Sequence, residues 1–211
     1  FVAALGSQLH ARGKQLAVSV PPMGVAGNNY WVYDWAGIEP YIDKLRIMAY
    51  DYSTDRPGPI APVDWVRSVV RAAKDAVDDD SKLVLGVPLY GRNWVVGTTG
   101  TCPADAPGKV DPNQREVDAL LAQYAATPQR DEATQEATFT YQRESSDGAT
   151  SCTQTREVHY VDAAGVRARV DVARDERIGG VVFWALGYGT DAAWAAVAEV
   201  ARPRAVELPV T

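Results

Sequence analysis

Met48, Tyr50 and Asp51 crowd the end of one apolar run, Tyr90 and Arg92 the end of another, and Trp184 lies within a third. Aromatic rings offer flat apolar faces on which a pyranose can stack. Tyrosine, arginine and aspartate side chains beside them can fix its hydroxyls by hydrogen bonds. Such a mixture suits a sugar cleft. It does not suit phosphate chemistry, because neither G-x-G-x-x-G nor a Walker lysine occurs in the chain. G-x-S-x-G is also absent, which argues against an α/β-hydrolase. The spacing of Cys102 and Cys152 offers no metal site, and only His10 and His159 could help. No metal and no cofactor are expected.

These side chains need a scaffold that brings separate run ends together. Four nearly continuous apolar runs stand out, Leu16 to Pro22, Leu45 to Tyr52, Leu83 to Tyr90 and Gly180 to Leu186. Continuous rather than alternating apolar sequence is how strands covered on both faces read. Amphipathic stretches separate them. Val63, Val66, Val70, Ala73 and Val77 step by three and four, as Val2, Leu5 and Leu9 do, and Asp191 can cap the last helical stretch. Strand–helix alternation predicts an α/β fold with a parallel sheet and right-handed crossovers, in which ligands bind at the carboxyl ends of the strands. All the candidate residues fall at or near such ends.

The third and fourth runs are far apart, and residues 93–160 read as an insertion. It holds a predicted helix over 114–126 and predicted strands over 137–142 and 156–161. These flank Ser145-Ser146-Asp147-Gly148, a turn signal. Cys102 and Cys152 both fall in loop-like, polar sequence of this region. A pair would close a long loop and imply an oxidising compartment; two free thiols are the alternative. Arg92 either reaches ligand or sits in a structural ion pair, Trp94 either lines the mouth or anchors the insertion, and His159 reads as a satisfied strand histidine. The net charge of -6 excludes a nucleic-acid or anionic-membrane partner.

M-A-Y-D at one strand end, G-V-P-L-Y-G-R at the next and G-G-V-V-F-W-A-L-G near the end resemble the sixth, seventh and eighth strands of family-18 glycoside hydrolases. LAVSVPP resembles the fifth. PGPIAPVDWV and F-x-Y…H-Y-V-D-A are similar to the branch of spore-cortex-lytic and chitinase-like enzymes. The resemblance implies an α/β fold that is a partial (β/α)8 TIM barrel, strands 5–8, with a small α+β insertion between strands 7 and 8. Residues 1–92 and 161–203 would form the barrel half, 93–160 the insertion and 204–211 a tail.

The resemblance also implies substrate-assisted, retaining hydrolysis of N-acetylglucosamine polymers such as chitin or peptidoglycan. There the 2-acetamido oxygen attacks the anomeric carbon in place of a protein carboxylate. By the same resemblance Tyr50 orients that oxygen, Asp51 bonds the distorted sugar, Trp184 floors the site with Met48 beside it, and Tyr90 and Arg92 form the wall. The fourth-strand motif D-x-x-D-x-D-x-E, which carries the catalytic acid in the family, occurs nowhere in the chain. The chain alone is therefore expected to be inactive. Its expected partners are the polysaccharide and either a missing N-terminal barrel half or a second copy, and the expected setting is secreted. A chitinase-like lectin without the acid is the alternative, and an unrelated four-stranded structural domain is a third reading.

Overall fold

Leu83–Pro88 (β3) is buried along its whole length, as expected of its uninterrupted apolar sequence. The computed structural model describes residues 1–23 and 32–201; the expected tail at 204–211 lies outside the described residues. In chain order the first part of the fold comprises α1 (Val2–His10), β1 (Ala17–Val20), α2 (Trp35–Ile38), β2 (Lys44–Ile47), α3 (Val63–Ala76) and β3. An antiparallel group follows: β4 (Gly91–Gly100), α4 (Gln114–Gln123), β5 (Gln129–Asp131), β6 (Glu136–Ser146) and β7 (Ser151–Tyr160). The chain then returns through α5 (Ala163–Asp175), β8 (Gly180–Trp184) and α6 (Asp191–Ala201).

β1, β2, β3 and β8 make one parallel sheet in the order β1-β2-β3-β8. One face packs on helices. Leu45, Ile47, Leu85 and Val87 meet Val66, Val69, Val70 and Ala73 of α3 and Val166 and Val170 of α5 in one apolar core. The opposite face is open and carries Ser19, Arg46, Met48 and Val182. It is less apolar than the strand sequences predict, since polar residues alternate into β1 and β2.

The second sheet has the order β4-β7-β6-β5, all antiparallel. Val117 of α4 covers Ala137, Phe139, Tyr141, Val158 and Tyr160 in a separate core. A capping box starts α4: the Asn113 side chain accepts from the Glu116 amide and the Glu116 carboxylate from the Asn113 amide. Asp147 closes the β6–β7 turn by accepting from the Ala149 and Thr150 amides.

Three local readings of the sequence are corrected. Residues 91–100 form a strand, not only a cleft mouth; its glycines Gly91, Gly97 and Gly100 mask the strand signal, and its partner β7 is remote in sequence. Cys152 lies within β7 rather than in a loop. Asp191 is the first residue of α6, and the capping acceptor is Thr190, whose hydroxyl receives the Ala193 amide at 3.3 Å.

Two buried arginines fasten the sheets to the loops around them. Arg169 of α5 meets Glu136 of β6 at 2.8 Å with both side chains 1% exposed. The Glu136 carboxylate in turn accepts from the Ile60 and Ala61 amides, both at 2.7 Å. Arg156 of β7 donates to the Pro107 and Gly108 carbonyls and to Asn93 Oδ1. The loop it holds begins at Cys102, which is disulfide-bonded to Cys152.

Candidate functional site

The carboxyl ends of β2, β3 and β8 converge on one mouth. Met48 follows β2 directly, and its amide donates to the Val20 carbonyl at 2.9 Å, continuing the parallel pairing. Gly86 of β3 lies beneath the Tyr50 ring. A Cβ there would fall 2.6 Å from the Ile47 carbonyl oxygen and 3.0 Å from the ring, so any side chain would push Tyr50 off the sheet. Asp51 adopts the left-handed backbone region at φ 62, which aspartate tolerates better than most residues. In the same place the chain turns from the strand into loop 52–61.

That turn directs the Asp51 carboxylate back at the start of β4. Tyr90 donates its hydroxyl to Asp51 Oδ1, and Arg92 Nη2 lies 2.6 Å from the same oxygen. Arg92 also donates to the Ser53 carbonyl and stands 3.4 Å from Asp111. The Tyr50 and Tyr90 rings meet edge to face at 6.2 Å. Burial foremost, and the Asp51 charge second, push the Tyr50 phenol up from 10.0 to about 12. Burial and the hydrogen bond to Asp51 raise Tyr90 further still. Both phenols therefore remain hydrogen-bond donors into the alkaline range, beyond an ordinary tyrosine.

Trp184 stands at the end of β8 and is 55% exposed. The Leu89 amide donates to its carbonyl at 2.8 Å, tying the end of β8 to the end of β3; the Trp184–Ala185 peptide is cis. One cavity of about 200 Å³ is shared by Met48, Tyr50 and Trp184. Another of about 230 Å³ is shared by Asp51, Tyr90, Arg92 and Trp184. A larger one of about 830 Å³ runs from Met48, Tyr50 and Asp51 along Pro21, Pro22 and loop 52–56 to Trp65. The six candidate residues are therefore brought together, with Trp184 between the two smaller cavities. Cys102 and Cys152 are joined to each other in the antiparallel part of the fold.

Several lining residues carry no sequence signal of their own. Asp111 and Tyr188 border Trp184, yet Asp111 arrives from the loop after β4 and Tyr188 from the loop after β8. Tyr52 packs edge to face on Trp65 at 5.2 Å; its place next to Asp51 was the one available hint. Among the described residues there is no group of three His, Cys, Asp or Glu able to hold a metal ion.

The model of glycosyl hydrolases family 18 matches residues 1–189, and the chain belongs to that family. A chitinase from Chromobacterium violaceum ATCC 12472 superposes with a TM-score of 0.80 and 31% identity, covering 96% of this chain and 60% of that one. The cortical fragment-lytic enzyme of Bacillus subtilis strain 168 is 27% identical over 88% of this chain and 41% of its own length. The Bacillus megaterium QM B1551 spore cortex-lytic enzyme SleL shares the fold with a TM-score of 0.75 at 21% identity, covering 94% of this chain and 44% of that one. This chain thus spans about half the length of the relatives it matches. Its parallel sheet and antiparallel second sheet match the TIM-barrel domains of family-18 chitinases.

Proposed function

We propose that this chain supplies the substrate-gripping side of a glycosidase cleft for N-acetylglucosamine polysaccharide, either chitin or peptidoglycan, cleaved with substrate assistance and retention. Its four parallel strands take the places of strands 5–8 of a (β/α)8 barrel, with residues 93–160 as the insertion between strands 7 and 8. The observation that carries this reading is the meeting of Tyr50, Asp51 and Trp184 at one mouth.

In that reading Trp184 stacks under the sugar whose glycosidic bond is cut, with Met48 beside it. The protonated Tyr50 hydroxyl holds the acetamido oxygen in line with the anomeric carbon, a positioning contribution. Asp51, oriented by Tyr90 and Arg92, bonds the distorted sugar. The leaving oxygen needs a proton, and a general acid is worth roughly 10²–10⁴-fold. That acid is assigned to a strand from outside residues 1–211, so the chain by itself binds and does not turn over. The disulfide supports a secreted, oxidising setting.

The test is a titration of the purified chain with N-acetylglucosamine oligomers, alongside an assay for new reducing ends. Binding without hydrolysis is expected, weakened in Trp184→Ala. Hydrolysis by the isolated chain would remove the proposed division of labour.

A further inference from the structure

Gln114 opens helix α4 of the insertion and is 3% exposed. Its side-chain amide stands between two segments remote in sequence. Nε2 donates to the Val161 carbonyl at 2.7 Å, and Oε1 accepts from the Thr190 amide at 3.2 Å. Its backbone amide donates to the Leu89 carbonyl at 3.1 Å. One residue thus ties together the end of β3, the entry to α5 and the loop that follows β8. A carboxamide is the group this place demands, because the carbonyl on one side needs a donor and the N–H on the other an acceptor. A carboxylate has no donor, methionine has neither, and asparagine is one methylene shorter.

What Gln114 holds is the loop that continues from Trp184. Trp184 and Tyr188 both line the cavity of about 230 Å³, and the Tyr188 amide donates to the Ala185 carbonyl at 3.0 Å to turn the loop between them. The near end is fixed by the Leu89 amide on the Trp184 carbonyl. The far end is fixed by Gln114 on Thr190 and by Arg115, whose Nε donates to the Gly189 carbonyl at 3.1 Å. A Cβ on Gly189 would fall 3.0 Å from the Trp194 ring, so the loop is seated closely there. The segment just before Gln114 presents Asp111 to Arg92. Residues 111–115 therefore meet the wall of the cleft at one end and the loop behind its floor at the other. Gln114 itself lines neither of the two cavities that Trp184 shares, so any effect it has on a ligand passes through that loop.

We propose that Gln114 is a positioning residue: through Thr190 it sets where Tyr188 and Trp184 stand against the Asp51–Arg92 wall, so that the insertion fixes the width of the cleft. The sugar as ligand rests on the function proposed above. The mechanical link does not, since order in the loop is measured without any ligand.

The test has two readouts on the purified chain: amide exchange at Tyr188 by NMR, and the dissociation constant for N-acetylglucosamine oligomers. Gln114→Met keeps the side-chain length and removes both hydrogen bonds. Protection at Tyr188 should fall and the dissociation constant rise, each about tenfold. Glu116→Ala breaks the capping box of the same helix without touching the loop. It should lower the melting temperature yet leave both readouts within about twofold of wild type. Gln114→Glu supplies a chemical signature. Its carboxylate is repelled by the Val161 carbonyl, but the protonated acid has one donor and one acceptor, as glutamine does. Relative to wild type at the same pH, it should match Gln114→Met at about pH 8 and regain most of the loss at about pH 5, burial having raised its carboxyl above the ordinary value of about 4.3. If Gln114→Met folds poorly by circular dichroism, Arg115→Ala at an exposed position removes the Gly189 contact and should move both readouts the same way. Unchanged protection at Tyr188 in these variants, an equal loss in Glu116→Ala, or a Gln114→Glu deficit alike at both pH values would each overturn the proposal. Wild type that binds no oligomer would contradict the sugar reading instead, and exchange at Tyr188 would still decide this one.

Discussion

Asp51 and Arg92 are joined at 2.6 Å across the cleft wall, the carboxylate 45% exposed and the guanidinium 7% exposed. The acid faces the cavity while the base stands behind it, also holding the Ser53 carbonyl of loop 52–61. In this geometry Arg92 acts chiefly through Asp51. Arg92→Met should leave the fold intact at room temperature but free the Asp51 carboxylate to swing. The dissociation constant for N-acetylglucosamine oligomers should rise about tenfold, the usual worth of one charge-assisted hydrogen bond. Calorimetric titration checks this, and an unchanged constant would confine Arg92 to packing.

Alkaline pH should weaken the fold through Tyr50. Its phenol is raised from 10.0 to about 12 by burial and then by Asp51. The unfolded chain gives up that proton near 10 while the folded chain holds it to about 12. Stability is therefore complete below 10 and declines as pH rises through that window. Tyr160, also raised to about 12 by burial, adds to the decline. Denaturant melts between pH 10 and 12 should show a shallower fall for Tyr50→Phe than for wild type; parallel curves would contradict this origin.

The Glu136–Arg169 pair should be costly to break on one side only. Glu136→Gln leaves a buried guanidinium facing a neutral partner, and a loss of ~3–5 kcal/mol follows from stranding a buried charge. Replacing both with apolar residues, Glu136→Leu with Arg169→Met, should recover part of that loss. The Ile60 and Ala61 amides would still lack their acceptor. Urea unfolding of wild type and the two variants measures the difference.

Reduction of Cys102–Cys152 should lower stability by ~2–4 kcal/mol, since the bond closes a loop spanning 50 residues. The effect should reach the cleft. Arg156 and the disulfide together hold the loop that delivers Asp111 to within 3.4 Å of Arg92. Amide exchange over residues 103–112 should quicken in Cys102→Ser/Cys152→Ser, while exchange in β3 changes little.

Much of the parallel sheet could be read from the chain, because β3 is apolar throughout and helix α3 keeps a strict three-four spacing. Run ends located Tyr50, Tyr90 and Trp184 for the same reason: in such a fold, a strand's carboxyl end is a place as well as a sequence position. Strand β4 is not legible in the sequence because its glycines and threonines look like loop, and only pairing with β7 makes it a strand. Asp111 carries no local signal because its position depends on Asn93 pairing with Val110 and on Arg156 far along the chain. Arg46 is hidden inside the apolar run LRIMAYDY, where one residue in two faces away from the helices. Long-range pairing decides β4 and Asp111, and local patterning does not report it.

Saturation-transfer NMR with N-acetylglucosamine oligomers on the isolated chain, repeated on Trp184→Ala and Tyr50→Phe, is the most direct trial of the sugar cleft. Saturation of the acetamido methyl in wild type is expected, lost with Trp184→Ala and reduced with Tyr50→Phe. Equal transfer in all three proteins, or none in wild type, would contradict it.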